Sequence, residues 1–272
     1  MRKGIISILT AGLAAFLLLT NWASRLHAEP LLQLYLEGAT YDTETDTWVA
    51  APPGSSNGQP LRLWAIGNVA STPLHKIEGV RLSIAYDKSW RDGGNELIFT
   101  FNPSTTGGYG GYYDPSTPSA PTFLQYGAEN TRPILGDGTP LPWHGIFGPD
   151  TVWQEFALGD FTLTDSPIGD FINVFPTIPT INSNDTPRGQ INVYEITVAW
   201  TGGVSASGAE IHFDLYNHYE GGNHIKARFA PFSHDTDATA QIVPAPPSLV
   251  GLLSMGAMGA VIQLGRRLRR KA

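Results

Sequence analysis

Two stretches decide the fold class: Val80-Arg81-Leu82-Ser83-Ile84-Ala85-Tyr86 and Ala209-Glu210-Ile211-His212-Phe213-Asp214-Leu215-Tyr216. In the first, Val80, Leu82, Ile84 and Tyr86 alternate with Arg81, Ser83 and Ala85. In the second, Ala209, Ile211, Phe213 and Leu215 alternate with Glu210, His212, Asp214 and Tyr216. A period of two sends successive side chains to opposite faces of an extended strand, so each stretch predicts a strand with one apolar face. Leu61-Arg62-Leu63-Trp64-Ala65-Ile66 and Leu97-Ile98-Phe99-Thr100-Phe101 are further strand candidates. Within Ile191 to Trp200 the apolar phase changes between Val193 and Ile196, which predicts a bulge.

Working outward, no stretch between Glu29 and Ile242 keeps a period of 3.6 long enough to predict a helix. The chain holds 30 Gly and 21 Pro among 272 residues, nearly a fifth against an average of about 12%. With 42% hydrophobic residues it also has ample material for a core, so these residues predict turns between short strands. About ten strands without crossover helices predict an all-β, antiparallel β-sandwich, Ig-like or jelly-roll-like, as one domain over residues 29–241. Residues 103–121 are expected to form a long loop around Gly107–Tyr113, and residues 136–149 another, containing Trp143 and His144.

The ends differ from the body. Arg2 and Lys3 precede an apolar run from Gly4 to Leu19, and Ala28 supplies the small residue of a cleavage site, so residues 1–28 are expected to be a signal peptide. Near the other end, residues 248–265 form 18 positions without a charge, followed by Arg266, Arg267, Arg269, Arg270 and Lys271. At about 1.5 Å per residue such a helix spans about 27 Å, enough for a bilayer core. The cations keep the C-terminus cytoplasmic and the body outside. Between Glu29 and Asp237 lie all 24 carboxylates but only nine of the 17 cations, a formal charge of −15. That surface suits solubility outside the cell and excludes nucleic acid as a partner. The absence of Cys excludes disulfides and thiol catalysis.

The order Val243-Pro244-Ala245-Pro246, short apolar helix and terminal Arg cluster resembles the PEP-CTERM sorting signal of bacterial proteins, with Ala245 where that family usually has Glu. The resemblance covers residues 242–272. It implies an inner-membrane-anchored precursor, an exosortase-type processing protease as partner, and an organism with exopolysaccharide. The opening Leu31 to Tyr41, followed by Asp42-Thr43-Glu44-Thr45-Asp46-Thr47-Trp48-Val49, looks like a hairpin. It resembles the start of the choice-of-anchor N surface proteins, and Phe229-Ala230-Pro231-Phe232-Ser233-His234-Asp235 resembles their close. That likeness implies a shared ectodomain of no defined activity.

Chemistry is sparsely written. Asp42, Glu44 and Asp46 alternate in a turn that could offer oxygen ligands to Ca²⁺, but without the Gly and distal Glu of an EF-hand a solvated turn is expected, and no cofactor beyond that alternative. His212, His218 and His224 recur every six residues, with Asp214 beside the first and His234-Asp235 further on. Local geometry brings no two of these imidazoles together, so they are expected to be surface or loop histidines rather than a zinc site. No Gly-x-Ser-x-Gly occurs. Glu155 and Asp160, flanked by Trp153 and Phe161, come nearest to a glycosidase pair. Exposed Tyr109, Tyr112, Tyr113 and Trp143 are the candidates for stacking on sugars. The expected role is a non-enzymatic structural or adhesion protein of the cell envelope, with a carbohydrate-binding module and an envelope hydrolase as alternatives.

Overall fold

The computed structural model describes residues 31–42, 44, 47–50, 60–104, 118–164, 166–168, 188–202, 208–221, 224–230, 236–239 and 242–244. Among them are fourteen strands and two short 3-10 turns, Val69–Ser71 and Lys88–Trp90. The protein is all-β, with two sheets that share one core, as expected of a sandwich. No helix among the described residues is long and apolar enough to cross a membrane. Residues 1–28 and 248–272 lie outside the described residues.

The smaller sheet is built on β1 (Leu32–Leu36), β4 (Leu61–Gly67) and the long β10 (Arg188–Trp200). β6 (Leu97–Ser104) and the two-residue β9 (Ser166–Pro167) pair with β10. β14 (Ile242–Pro244) also joins β10, in parallel, with Val198 opposite Ile242 and Trp200 opposite Pro244. Val243 and Pro244 thus lie in an edge strand of the sheet, and the boundary expected at 241 falls just before it. Proline suits an edge, where its missing N–H costs no ladder bond.

The larger sheet runs β2 (Thr40–Asp42), β3 (Thr47–Ala50), β13 (Thr236–Thr239), β11 (Glu210–Gly221), β5 (Ile77–Asp87), β8 (Thr151–Phe161) and β7 (Thr122–Gly127). β12 (His224–Phe229) folds back on β11. β13 and β3 pair in parallel, so both sheets are mixed rather than purely antiparallel. The expected hairpin is confined to β2 and β3; β1 leaves for the other sheet, where Tyr35 lies opposite Trp64.

Both deciding stretches are strands as predicted, β5 and β11, and they are neighbours, with Ile84 opposite Phe213 and Leu82 opposite Leu215. These four side chains are fully buried and join Leu34, Trp64, Val193 and Ile196 of the other sheet in one core. Phe156 of β8 reaches across to Phe101 of β6, their rings edge to face at 4.9 Å. The bulge expected in β10 does not occur: its pairing with β4 and with β6 runs without a shift. The phase changes because the first half of β10 is covered on both faces. Ile191 and Val193 are buried on one face. On the other, Gln190 donates to Asn192 and Asn192 to Tyr194, so the polar groups there are bonded to one another.

Candidate functional site

The central polar positions of β5, β8 and β11 do not face solvent. Ser83, Glu155, His212, Asp214 and Tyr216 are all buried, at no more than 4% exposure. Residues 128–150, the irregular connection between β7 and β8, lie over this outer face. Their own hydrogen bonds give the segment shape: Leu135 N–H donates to Thr139 O, Leu141 N–H to Pro133 O, and the Arg132 guanidinium to Leu141 O at 2.6 Å. Leu135 and Leu141 close on Tyr216 as a small second core, with Phe147, Ala227 and Phe229 against it. Two glycines permit the approach. A Cβ on Gly136 would overlap that of His218 at 1.8 Å, and one on Gly145, whose φ is +52°, would lie 2.6 Å from the His212 ring.

Beneath the segment, His144 meets β11. His144 Nε2 lies 2.5 Å from Asp214 Oδ1 and 3.2 Å from His212 Nε2, and His212 Nε2 lies 3.5 Å from Asp214 Oδ1. The three atoms converge on one point, and each residue is held from behind. His144 Nδ1 is 2.9 Å from Pro142 O, which fixes a proton on Nδ1. His212 Nδ1 is 2.5 Å from the Asp237 carboxylate of β13. Asp214 Oδ2 accepts from Ser83 Oγ at 3.2 Å. Register explains the arrangement: His212 lies opposite Asp237 on one side and Ala85 on the other, and Asp214 lies opposite Ser83.

Electrostatics follow from this enclosure. Burial opposes charge on His212, but the Asp214 charge and the hydrogen bonds to Asp214 and Asp237 hold its pKa well above the ordinary imidazole value. Burial likewise works against His144, and the Asp214 hydrogen bond and charge outweigh it, so this imidazole is also shifted upward. Asp214 is desolvated too, yet His212 and His144 hold its carboxyl well below the usual carboxylate range. The carboxylate thus favours protons on both imidazoles, and both imidazoles favour its charge.

A second polar group lies further along the same face. Glu155 accepts from Tyr216 Oη at 2.7 Å, from Gln125 Nε2 at 2.7 Å and from Arg81 Nη1 at 3.1 Å. Burial first, and then the Glu155 charge, push the Tyr216 phenol far up, so it remains a donor. Asp160, considered with Glu155 in the sequence, is instead held near the end of β8 by the Gly79 N–H at 2.8 Å and Lys76 Nζ at 3.0 Å. Both carboxylates are engaged in bonds that hold the fold.

His212 is therefore a buried residue rather than a surface one, and its partner is His144, not His218 or His224. His218 sits further along β11 beside Gly79 and Gly136, and His224 opens β12. Trp143 is 51% exposed, with the Arg132 guanidinium 4.1 Å above its ring. Asp42 Oδ1 accepts from the Glu44 N–H at 2.8 Å, the bond of an Asx turn. Ala28, Asp46, Tyr109, Tyr112, Tyr113, His234, Asp235, Ala245, Pro246, Arg266, Arg267, Arg269, Arg270 and Lys271 lie outside the described residues. Sequence reasoning missed Asp237 and the His144–His212 contact. The local signal was His212-x-Asp214, two titratable groups on one strand face, together with a Gly directly after His144. Compared with family models, curated proteins and solved structures, the chain has no match in any of the three.

Proposed function

We propose that this is an exported protein of the bacterial cell envelope or extracellular matrix, in which an Ig-like or jelly-roll-like body is held outside the cytoplasm by a sorting tail and has a structural or adhesive role. One observation carries the proposal: the segregation of charge. All carboxylates lie between Glu29 and Asp237, whereas five cations follow the uncharged residues 248–265 directly. Cations that resist translocation pin such a segment, with the acidic body on the far side. Residues 1–28 act as the signal peptide. An exosortase-type protease removes the tail at Val243-Pro244-Ala245-Pro246, and exopolysaccharide is the matrix met outside.

Fractionation and protease accessibility test this. The full-length precursor should fractionate with the inner membrane, and its body should be digested by protease added outside that membrane. Met255→Arg should cost about 2.5–3.5 kcal/mol of insertion free energy and release the precursor. A body digested only after the cytoplasm is opened, or still membrane-bound without residues 248–272, refutes the topology. A second role, carbohydrate binding, is favoured by the exposed Trp143 and by Phe123 and Tyr126 on the edge strand β7, each more than 40% exposed. A glycan array on the full-length protein decides it.

A further inference from the structure

We propose that His144, His212 and Asp214 form a site for a divalent transition-metal ion, Zn²⁺ by the chemistry of its ligands, which clamps residues 128–150 onto strand β11. This is independent of where the protein is exported. His144 Nε2, His212 Nε2 and one Asp214 carboxylate oxygen all lie within 4.8 Å of one another. Zinc bonds to imidazole and carboxylate at about 2.0–2.2 Å, and a tetrahedron of that size has edges of about 3.3 Å. Two of the three edges already match, at 3.2 Å between the imidazoles and 3.5 Å from His212 to Asp214. The third, 2.5 Å from His144 to Asp214, is a hydrogen-bond length. It opens by about 0.8 Å when a metal ion takes the place of the proton.

The surrounding bonds are those that metal ligands need. A ligating imidazole binds through one nitrogen while the other donates to a carboxylate or carbonyl. His144 does so to Pro142 O and His212 to Asp237, so both rings present Nε2 to the same point. Asp214 spends its other oxygen on Ser83 Oγ, which orients the carboxylate. Two imidazole nitrogens facing each other at 3.2 Å share at most one proton, and a cation bound to both removes that conflict. Two nitrogens and one oxygen are the donor set of three-ligand zinc sites, and they do not suit Ca²⁺, which takes oxygen throughout. His144 and Asp214 are 70 residues apart in the chain, so the ion fastens a loop to the sheet.

The experiment uses the full-length protein, stripped with a chelator and returned to Zn²⁺ alone. Wild type should take up one tightly held equivalent, melt at a higher temperature with it than without it, and resist proteolysis within residues 128–150. His144→Ala, which removes a ligand from the loop and leaves the shared core untouched, should weaken uptake at least a hundredfold and lose the melting shift. If that variant fails to fold, Co²⁺ in wild-type protein serves instead, and should give the intense visible absorption of a tetrahedral site with nitrogen ligands. No uptake by wild type, uptake unchanged in His144→Ala, or Co²⁺ without that absorption overturns the proposal.

Discussion

On the inner face of β5 and β11, Leu82, Ile84, Phe213 and Leu215 meet hydrocarbon from the other sheet. On the outer face, one residue along each strand, Ser83, His212, Asp214 and Tyr216 meet hydrogen-bond partners instead. Both faces are dry, and what holds them differs. Apolar burial is non-directional and scales with the area removed from water, so the inner face tolerates many sequences of the right volume. A buried polar group is stable only with its partner in place, so the outer face depends on particular atoms. One of those atoms, His144 Nε2, comes from residues 128–150, and the cover is as much part of the fold as the strands beneath it.

The comparison can be broken by substitution, and the largest effect belongs inside. Phe213→Ala removes a ring with no exposure and leaves a cavity between the sheets; about 3–5 kcal/mol of stability should be lost. Denaturant unfolding measures it, and a loss below about 1 kcal/mol means that the inner face is not the main source of stability.

Tyr216→Phe probes the outer face with almost no change of volume. It deletes the hydroxyl donated to Glu155 Oε1 and leaves that buried carboxylate with Arg81 and Gln125. The expected cost is about 1–3 kcal/mol, from the same unfolding curves. A neutral result means that solvent already reaches Glu155, and the contrast between the faces fails there.

Trp143→Ala sharpens the comparison at its outermost layer, where the covering segment itself meets water. Half-exposed, with the Arg132 guanidinium over its ring, Trp143 should contribute no more than about 1 kcal/mol. A larger loss places Trp143 among the groups that hold the cover down. An unchanged melt with loss of a glycan-array signal assigns it to binding.

Much of the fold was legible beforehand, for a physical reason. Alternation along β5 and β11 is a property of consecutive residues, and an extended chain converts it directly into faces. β4 and β6 were readable in the same way. β10 shows where that rule stops: its mixed pattern predicted a bulge, but the strand runs straight with its first half covered on both sides. The site was less legible. His212 and Asp214 share a strand face by their spacing alone, yet nothing local told that this face is buried.

By itself, then, the sequence determined the all-β class, the strands β4, β5, β6 and β11, and the segregation of charge between body and tail. All of these are written in neighbouring residues. Only the tertiary structure decided that residues 128–150 close over the outer face, that His144 arrives at β11 from 68 residues away, and that Asp237 stands behind His212. Those contacts depend on strand order and on a close approach at Gly145. No periodicity encodes them, because each joins atoms whose separation along the chain says nothing of their distance in space.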